Sequence, residues 1–384
     1  MGVRISLPLH RKRNTIAFLF FVYRPQERLS HFTQKKWYFC SANPNSQIMH
    51  ITYNQDLTHL NTFAVKASCD KFIRIEDEDE IRPLLETDEL NSAHYILGGG
   101  SNVLFTQHFH GVIVQLCTKG IRKFKEDTDF IWLDVAAGEH WDDFVNYCVK
   151  NKYYGVENLS GIPGFVGSCP VQNIGAYSAE VKDVIDSVFG YRISSKQPFA
   201  LGNADCQFGY RSSIFKTAWK GDVLITRVRF KLTKKEKLTV TYKGLIEEME
   251  SSGLPLSLEN VAKAVVAVRN KKLPDIREIG CAGSFFKNPI VKAEVRDELL
   301  AKFPNLVSYP AGDGMCKLAA GQLIELSGMK GVRESSIGVY PKQALVIVNY
   351  GGATGEEIQR FYRKVQEAVE RTTGVRLEPE VNIL

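Results

Sequence analysis

Residues 280–289 combine the residue types that could do chemistry: small residues, one hydroxyl, two aromatic rings, a lysine and an asparagine. Small residues let a backbone approach a ligand closely. A serine hydroxyl that is held beside a ligand can donate a proton or a hydrogen bond to it. Ser284 is therefore the candidate donor. The alternative is a tight turn followed by two phenylalanines that pack in the core.

Two loops have the composition of phosphate-binding segments. Residues 98–102 read Gly-Gly-Gly-Ser-Asn between apolar runs, and consecutive backbone N–H groups in such a turn can bind an anion. The turn lacks the third glycine of the dinucleotide fingerprint and precedes a strand, so a hairpin turn is the alternative. Residues 159–177 form a longer loop of glycines, prolines and amides, which is typical of a functional loop. A structural crossover is the alternative there.

Four further polar residues are candidates for a binding site. Arg211 lies among aromatic and apolar residues and needs a carboxylate partner, either in the protein or on a ligand. Glu380 alternates with apolar residues in the last predicted strand, a pattern that is also typical of a solvated position. Lys272 could bind a substrate anion or lie free in solvent. Tyr242 is predicted at a strand end, where it could cover a ligand or pack on a sheet.

Length and composition limit the class of protein. The 384 residues are enough for two or three domains. The net charge of +6 comes from residues 1–48, which carry eight Lys/Arg and one acid, while the remainder has a net charge of −1. The body therefore lacks the basic surface that a nucleic acid requires. The last 244 residues contain no histidine, which excludes a Ser-His-Asp hydrolase built within them.

The cysteines and the N-terminus carry no recognisable site. Eight scattered cysteines without a Cys-x-x-Cys pair predict reduced thiols and no metal centre. The apolar run at residues 16–23 follows three basic residues but is too short to span a bilayer. We expect residues 1–48 to be an N-terminal extension upstream of a start at Met49, or a disordered tail.

The elements that must position these residues follow a mixed α+β pattern. Hydrophobic periodicity and turn signals predict strands at 72–75, 95–97, 111–116, 131–137, 344–349 and 377–383, a β-rich stretch over 184–232, and helices over 77–90, 139–151, 261–269, 293–303, 321–327 and 354–374. The last helix begins with a capping box at Thr354. No repeat is present, and the order of elements is not a regular βαβ array.

Taken in order from Asn61 to the C-terminus, the motifs resemble the UDP-N-acetylenolpyruvoylglucosamine reductase (MurB) family. The matching segments are Asn61-Thr62-Phe63, residues 98–104, residues 172–177, residues 208–211, residues 272–274, residues 283–289 and residues 379–381. The segment around Tyr242 resembles the tyrosine-containing loop of one subclass of the family. Residues 1–48 lie outside the resemblance.

The resemblance implies an FAD-binding fold of the vanillyl-alcohol-oxidase (PCMH) type in two subdomains, with a C-terminal α+β substrate-binding domain. We expect the first subdomain at residues 50–118, with 375–384 returning to it, the second at 119–262, and the substrate domain at 270–374. The family uses non-covalent FAD and NADPH to reduce UDP-N-acetylglucosamine enolpyruvate in the bacterial cytoplasm. We therefore expect a monomer with a small-molecule substrate and no nucleic-acid or membrane partner.

The resemblance also implies residue roles. Ser284 would protonate the substrate carbon C2 after hydride transfer to C3, while Arg211 and Glu380 would stabilise the charge that develops. The residues expected to bind FAD are Gly98, Gly99, Gly100, Ser101, Asn102, Gly161, Gly164, Gly167, Ser168, Gln172, Asn173, Gly175 and Tyr177. The residues expected to bind the substrate are Tyr242, Lys272, Asn288, Tyr210 and Gln343.

Some positions depart from the family pattern, and two other functions stay open. Cys281, Cys169, Tyr340, Asn382 and Gln322 stand where other residues are common in the family. Because Cys281 is three residues from Ser284, we hypothesise that the enzyme is sensitive to thiol reagents. The alternative functions are another FAD-dependent oxidoreductase of the same fold and a nucleotide-sugar or flavin binder without activity.

Overall fold

The structure is a computed structural model that describes residues 49–384, so the expectations for residues 1–48 lie outside the described part. In chain order the strands are β1 His50–Asp56, β2 Ser68–Ile75, β3 His94–Leu97, β4 Val103–Leu104, β5 Phe109–Leu116, β6 Ile121–Glu126, β7 Phe130–Ala136, β8 Gly175–Ala176, β9 Ala179–Glu180, β10 Ile185–Arg192, β11 Pro198–Gly202, β12 Val223–Thr233, β13 Gly280–Cys281, β14 Ile290–Lys292, β15 Ser308–Pro310, β16 Met315–Leu318, β17 Arg333–Glu334, β18 Ile337–Val339, β19 Ile347–Asn349 and β20 Asn382–Ile383. The helices are α1 Ile81–Glu86, α2 Trp141–Lys150, α3 Lys243–Ser252, α4 Leu258–Lys272, α5 Ala293–Lys302, α6 Ala320–Leu326 and α7 Gly355–Thr373. None of these helices is long and apolar enough to cross a membrane.

The first sheet is mixed and has the order β1-β2-β5-β3. The strands β2, β5 and β3 run parallel, and β1 is antiparallel to β2. Parallel strands bring their carboxyl ends to one edge of a sheet, and a ligand of such a sheet binds outside that edge. The glycine turn at residues 98–102 directly follows β3 and therefore lies at this edge.

The second sheet is antiparallel and has the order β11-β10-β12-β7-β6. The helix α2 packs its predicted apolar face against this sheet, because Trp141, Phe144, Val145 and Cys148 are all buried. The ring of Phe144 lies 4.5 Å from that of Phe230 in β12, measured between centroids. This sheet and α2 enclose a core of their own.

The C-terminal part contains two small antiparallel sheets, β13-β19-β18-β17 and β14-β16-β15. The helix α7 begins at the predicted capping box, where the Thr354 hydroxyl accepts from the amide of Glu357, and ends at Gly374 with a φ of 71°. Its apolar face shares one core with Phe63, Phe105 and Phe285. The first sheet and the C-terminal part are thus joined by a continuous apolar core.

The structure differs from the predicted elements in several places. The predicted helix over 77–90 is only α1, although its predicted inward residues are buried. The last strand is reduced to β20 and one isolated bridge between Phe286 and Pro379. Tyr242 is not at a strand end but immediately precedes α3, a helix that was not predicted. The apolar spacing of α3 is weak, and its positive-φ C-cap at Gly253 is its clearest signal.

Asp134 of β7 anchors a buried charge network in the second sheet. Its side chain is 2% exposed and accepts two hydrogen bonds from Arg229, at 2.6 and 3.0 Å. Arg227 lies 3.5 Å from the same carboxylate. Burial alone would raise the pKa of Asp134, but the hydrogen bonds from Arg229 and the positive charges of the neighbouring arginines outweigh it and lower the pKa. The ionised carboxylate therefore stabilises the fold.

We expect the substitution Asp134→Asn to lower the free energy of unfolding at neutral pH by about 3–5 kcal/mol, because it leaves Arg229, whose side chain is only 14% exposed, without a charged partner. The difference between variant and wild type should shrink on acidification below about pH 4, since a group with a lowered pKa loses its contribution as it is protonated. Urea denaturation at several pH values measures both effects. Glu126→Gln, at an exposed ion pair, is the matched control, and an equal loss in both variants would contradict the prediction.

Candidate active site

The two glycine-containing loops pack directly on each other. A Cβ atom on Gly98 would lie 2.1 Å from the hydroxyl oxygen of Ser168, and one on Gly99 would lie 2.8 Å from the Cα of Gly164. The hydroxyl of Ser101 donates to the carbonyl of Pro163 at 3.1 Å. Only glycine permits this approach, so the composition of both loops follows from their contact.

The glycine turn leaves backbone donors available at the edge of the first sheet. The amides of Gly99, Gly100 and Ser101 donate to no backbone carbonyl within residues 49–384. The carbonyl of Gly100 accepts from the amide of Thr62 at 3.0 Å, and Gly100 has a φ of 70°. Successive amides of this kind form a concave site for an anion such as a pyrophosphate.

Asn102 connects three segments that are far apart in the chain. Its side-chain amide donates to the Oε1 of Gln172 at 2.6 Å. Its carbonyl accepts from the backbone amide of Asn382 at 3.1 Å and from the side-chain amide of Asn382 at 2.9 Å. The glycine turn, the second loop and the C-terminal strand therefore meet at one residue.

The carboxylate partner that the sequence predicted for Arg211 is Glu380 of the same chain. The Nε of Arg211 lies 2.9 Å from the Oε1 of Glu380, although the angle at Nε is not that of a hydrogen bond. A terminal nitrogen of the guanidinium donates to the carbonyl of Gly175 at 2.8 Å. The side chains of Arg211 and Glu380 are 20% and 10% exposed. Glu380 is therefore not the solvated strand residue that its pattern alone would suggest.

The segment that carries Ser284 pairs through its backbone with the segment that carries Glu380. The carbonyl of Phe285, the neighbour of Ser284, accepts from the amide of Glu380 at 2.7 Å, and the amide of Phe285 donates to the carbonyl of Leu345 at 2.7 Å. Phe285 is fully buried, which supports the alternative that the aromatic pair packs in the core. The hydroxyl of Ser284 makes no hydrogen bond in the part of the chain that the structure describes. It is therefore available for a ligand.

The residues expected to bind the substrate form two groups. In the first, the ammonium of Lys272 donates to the hydroxyl of Tyr242 at 3.1 Å, and the ring of Tyr242 lies 5.1 Å from that of Tyr177. In the second, the amide of Asn288 donates to the hydroxyl of Tyr210 at 3.3 Å. The Tyr242 loop thus contacts the second glycine-containing loop at Tyr177.

Gln343 and Asn288 have structural contacts as well. The side-chain oxygen of Asn288 accepts from the amide of Ala320 at the start of α6, at 3.0 Å. The side-chain oxygen of Gln343 accepts from the amide of Leu345 at 3.4 Å. Because Leu345 pairs with Phe285, Gln343 lies in the turn before β19, next to the Ser284 segment.

Four positions in this region have a positive φ without being glycine: Asn173 (46°), Tyr177 (49°), Ser178 (67°) and Arg211 (52°). A non-glycine residue in this conformation is strained by about 1–3 kcal/mol and persists only when its surroundings hold it there. The side chain of the fully buried Asn173 donates to the carbonyl of Gly209 at 3.0 Å. Strain concentrated in this way is typical of a functional site.

The sequence analysis missed two cations of this region. The ammonium nitrogen of Lys216 is buried and has no hydrogen-bond partner within the described residues. Burial lowers the pKa of Lys216, and the negative charge of Glu380 opposes that effect. Arg269 donates to the carbonyl of Gly161 at 3.1 Å, and burial lowers its pKa. The signal for Lys216 was its place directly after the buried Ile214 and Phe215.

The departures from the family pattern have structural explanations in three cases. Cys281 is buried, and burial raises the pKa of its thiol, so the hypothesis of a thiol-sensitive enzyme loses its physical basis. The side chain of Gln322 accepts from the amide of Val307 and donates to the carbonyl of Asn305, both at 2.7 Å. Asn382 binds Asn102, as described above.

Comparison with known proteins identifies both parts of the chain. A family model described as an FAD binding domain matches residues 70–195, and one described as "UDP-N-acetylenolpyruvoylglucosamine reductase, C-terminal domain" matches residues 275–384. The crystal structure of the UDP-N-acetylenolpyruvylglucosamine reductase (MurB) from Thermus caldophilus has the same fold, with a TM-score of 0.59 at 22% identity. The alignment covers 87% of this chain and 98% of that one. The predicted α+β class with an FAD-binding domain of the PCMH type is confirmed.

Curated relatives match over nearly their whole length. The chain is 44% identical over 333 residues to the UDP-N-acetylenolpyruvoylglucosamine reductase of Chromobacterium violaceum. This alignment covers 86% of this chain and 97% of the relative. The chain is 41% identical over 338 residues to the protein of that name from Flavobacterium johnsoniae, covering 88% of this chain and all of the relative. The chain therefore belongs to the UDP-N-acetylenolpyruvoylglucosamine reductase family.

Proposed function

We propose that this protein reduces the enolpyruvyl ether of UDP-N-acetylglucosamine to UDP-N-acetylmuramate, a step of peptidoglycan precursor synthesis, with NADPH as reductant. The observation that carries the proposal is the hydrogen bond of 2.7 Å from the Glu380 amide to the Phe285 carbonyl. It joins the segment of Ser284, whose hydroxyl makes no hydrogen bond among the described residues, to the segment of Glu380, which forms a largely desolvated ion pair with Arg211. Both lie close to the loops that suit a dinucleotide.

The two packed loops fit FAD as a non-covalent cofactor. The free backbone amides of residues 99–101 suit its pyrophosphate. Because Gly98 and Gly99 have no side chains, the second loop can pack closely against this turn. Gln172, Asn173, Ser168 and Tyr177 add polar groups along the second loop. When bound, FAD would take a hydride from NADPH and deliver it to C3 of the substrate.

Arg211 would stabilise the charge that develops on the substrate. Hydride addition at C3 leaves negative charge at C2, which is delocalised onto the substrate carboxylate as an enolate. A guanidinium that is already oriented stabilises such charge without reorganisation. The ion pair with Glu380 and the bond to the Gly175 carbonyl orient Arg211 in this way.

Glu380 would act through Arg211 rather than as a bare carboxylate. A second negative charge beside an enolate would be unfavourable. The distance of 2.9 Å between its Oε1 and the Nε of Arg211 supports a role in holding the guanidinium, or a role through water. Its backbone pairing with Phe285 joins the ion pair to the segment that carries the serine.

Ser284 would donate the proton to C2. A serine hydroxyl is a weak acid, so this transfer needs a strongly basic acceptor, and the enolate carbon is one. The positive φ of 67° at Gly283 turns the chain just before the serine. The last 244 residues contain no histidine, so a proton donor from this part of the chain must be of another type, such as serine, tyrosine, lysine or a carboxylic acid.

The remaining polar residues would bind the nucleotide part of the substrate. Lys272 and Tyr242 offer an ammonium and a hydroxyl 3.1 Å apart, which suits a diphosphate. Tyr242 is 37% exposed, as expected of a residue that closes over a bound ligand. Tyr210, Asn288 and Gln343 would line the side nearer to Ser284.

Lys216 would add a second positive charge to the same site. Its buried ammonium has no partner among the described residues, and Glu380 exerts the largest charge effect on it. An uncompensated cation beside Arg211 strengthens the field that attracts an anionic substrate and stabilises the enolate. Lys216 would thus be a positioning residue for the electrostatics of the reaction.

A coupled assay tests the overall function. Purified protein with bound flavin should consume NADPH only when the UDP-enolpyruvyl sugar is present, and should form UDP-N-acetylmuramate in equal amount. Anaerobic reoxidation of the flavin by this substrate separates the proposal from an oxygen-dependent oxidoreductase of the same fold. A flavin-free protein, or one without substrate-dependent turnover, would overturn the proposal.

We expect Ser284→Ala to leave flavin reduction by NADPH unchanged and to slow flavin reoxidation by the enolpyruvyl substrate about 10²- to 10⁴-fold, because only the second half-reaction needs the proton. Anaerobic stopped-flow absorbance of the flavin measures the two half-reactions separately. Ser251→Ala, at an exposed position of α3, is the control. An equal slowing of both half-reactions would remove Ser284 from the role of proton donor.

We expect Lys216→Met to slow reoxidation by the substrate about tenfold while leaving the resistance to urea equal or higher, since the variant no longer buries an unpartnered charge. Lys216→Arg should restore part of the rate because it keeps the charge. Stopped-flow rates over a range of substrate concentrations, together with urea denaturation, provide the two readouts. The exposed Lys220→Met is the control, and identical behaviour of the two methionine variants would exclude the proposed role.

A further inference from the structure

A cluster of three metal-ligating side chains lies outside the site described above. The ligand atoms of Asp70, His108 and His110 all lie within 4.8 Å of one another. Asp70 is near the start of β2, and the two histidines flank the start of β5. The glycine turn follows the carboxyl end of the parallel neighbour β3. The cluster is therefore at the opposite end of the sheet from the proposed FAD site.

The alternation of the strands explains why these side chains share one face. In β2 and β5, Cys69 pairs with Phe109, and both contact the hydrophobic core. Their sequence neighbours Asp70, His108 and His110 consequently point to the other face. The sequence analysis predicted no metal centre, because the carboxylate comes from a different strand and no motif links it to the two histidines.

An irregularity in the pairing brings His110 next to Asp70. Between the pairs Cys69–Phe109 and Lys71–Val112, β5 contains one residue more than β2. The extra length is at Gly111, whose φ is 154° and where a Cβ would lie 2.2 Å from the carbonyl oxygen of Ala93. A bulge of this kind redirects the adjacent side chain.

A small cation would replace the direct contact between Asp70 and His108, so these two side chains would have to move apart to admit it. The Oδ1 of Asp70 lies 2.7 Å from the Nε2 of His108 and 3.7 Å from the Nδ1 of His110. The hydroxyl of Ser68 lies 2.8 Å from the Nδ1 of His108. A hydroxyl at this position would orient the ring so that its Nε2, which is hydrogen-bonded to Asp70 in this structure, faces the place of the metal, as the outer ligands of metal sites do.

We infer that Asp70, His108 and His110 form a binding site for one divalent transition-metal ion of the zinc class, with a fourth position for water. Two imidazoles and one carboxylate are a ligand set that zinc takes in proteins. A bound ion would join β2 to β5 and so stabilise the folded chain by mass action. The site is on the surface, with Asp70 half exposed, so the ion exchanges with solvent.

Calorimetric titration of the full-length, FAD-loaded protein with ZnCl₂, after removal of metals by a chelator, tests the inference. We expect one zinc ion per chain. Asp70→Asn and His110→Ala should each weaken binding at least about tenfold, and Ser68→Ala about tenfold because the ring of His108 loses its orienting partner. The exposed His59→Ala is the matched control and should bind as wild type does.

Two results would overturn the inference. One is a dissociation constant for zinc above about 1 mM, which corresponds to a binding free energy weaker than about 4 kcal/mol. The other is zinc binding that His110→Ala and Asp70→Asn leave unchanged, which would assign the ion to other residues. Flavin reduction by NADPH at the wild-type rate shows that each variant is folded, so a loss of zinc binding in an active variant supports the site.

Discussion

The ion pair between Arg211 and Glu380 is the constraint on which the rest of the site depends. Two charges that are largely withdrawn from water stabilise a fold only if their geometry is held and their remaining hydrogen-bonding groups are satisfied. The Gly175 carbonyl satisfies one nitrogen of Arg211, and the pairing of Glu380 with Phe285 holds the backbone of Glu380. Arg211 itself has a φ of 52°, a strained conformation that the surrounding contacts must offset. The second loop and the Ser284 segment therefore cannot vary independently, because each of them supplies one of these contacts.

Local sequence predicted the regular elements well where one periodic signal dominated. The helix α7 has a capping box, a continuous apolar face and a C-terminal glycine, so each signal agrees with the others. In α2 the four spaced apolar residues are all buried, as predicted. The helix α3 escaped prediction because its exposed Ile246 and its polar remainder give little periodic contrast. Its formation depends on packing against α4 through Leu245, which no local pattern reveals.

The sequence indicated which residues belong to the candidate site, but it did not indicate which of them contact each other. The motifs around Ser284 and Arg211 were recognisable as sequence, whereas the partner of Arg211 lies 169 positions away in the chain. Asn102 gave no sign that it would bind both Gln172 and Asn382. Such contacts depend on the closure of the fold, and the same reason explains why the Asp70 cluster could not be predicted. Its three residues share a face only because β2 and β5 are neighbours with an irregular register.

The charges around Glu380 include ion pairs within the protein and one unpaired cation that could bind an anionic substrate. Arg211 is balanced by Glu380, and Lys287 lies 3.2 Å from Glu378. Lys216 alone has a buried ammonium without a partner among the described residues. An unpaired buried charge destabilises the ligand-free protein, and an anionic substrate that supplies the missing charge removes this cost. The buried charge of Lys216 thus lowers the stability of the ligand-free protein. It would strengthen the binding of the anionic substrate, and more so the binding of the enolate that forms from it.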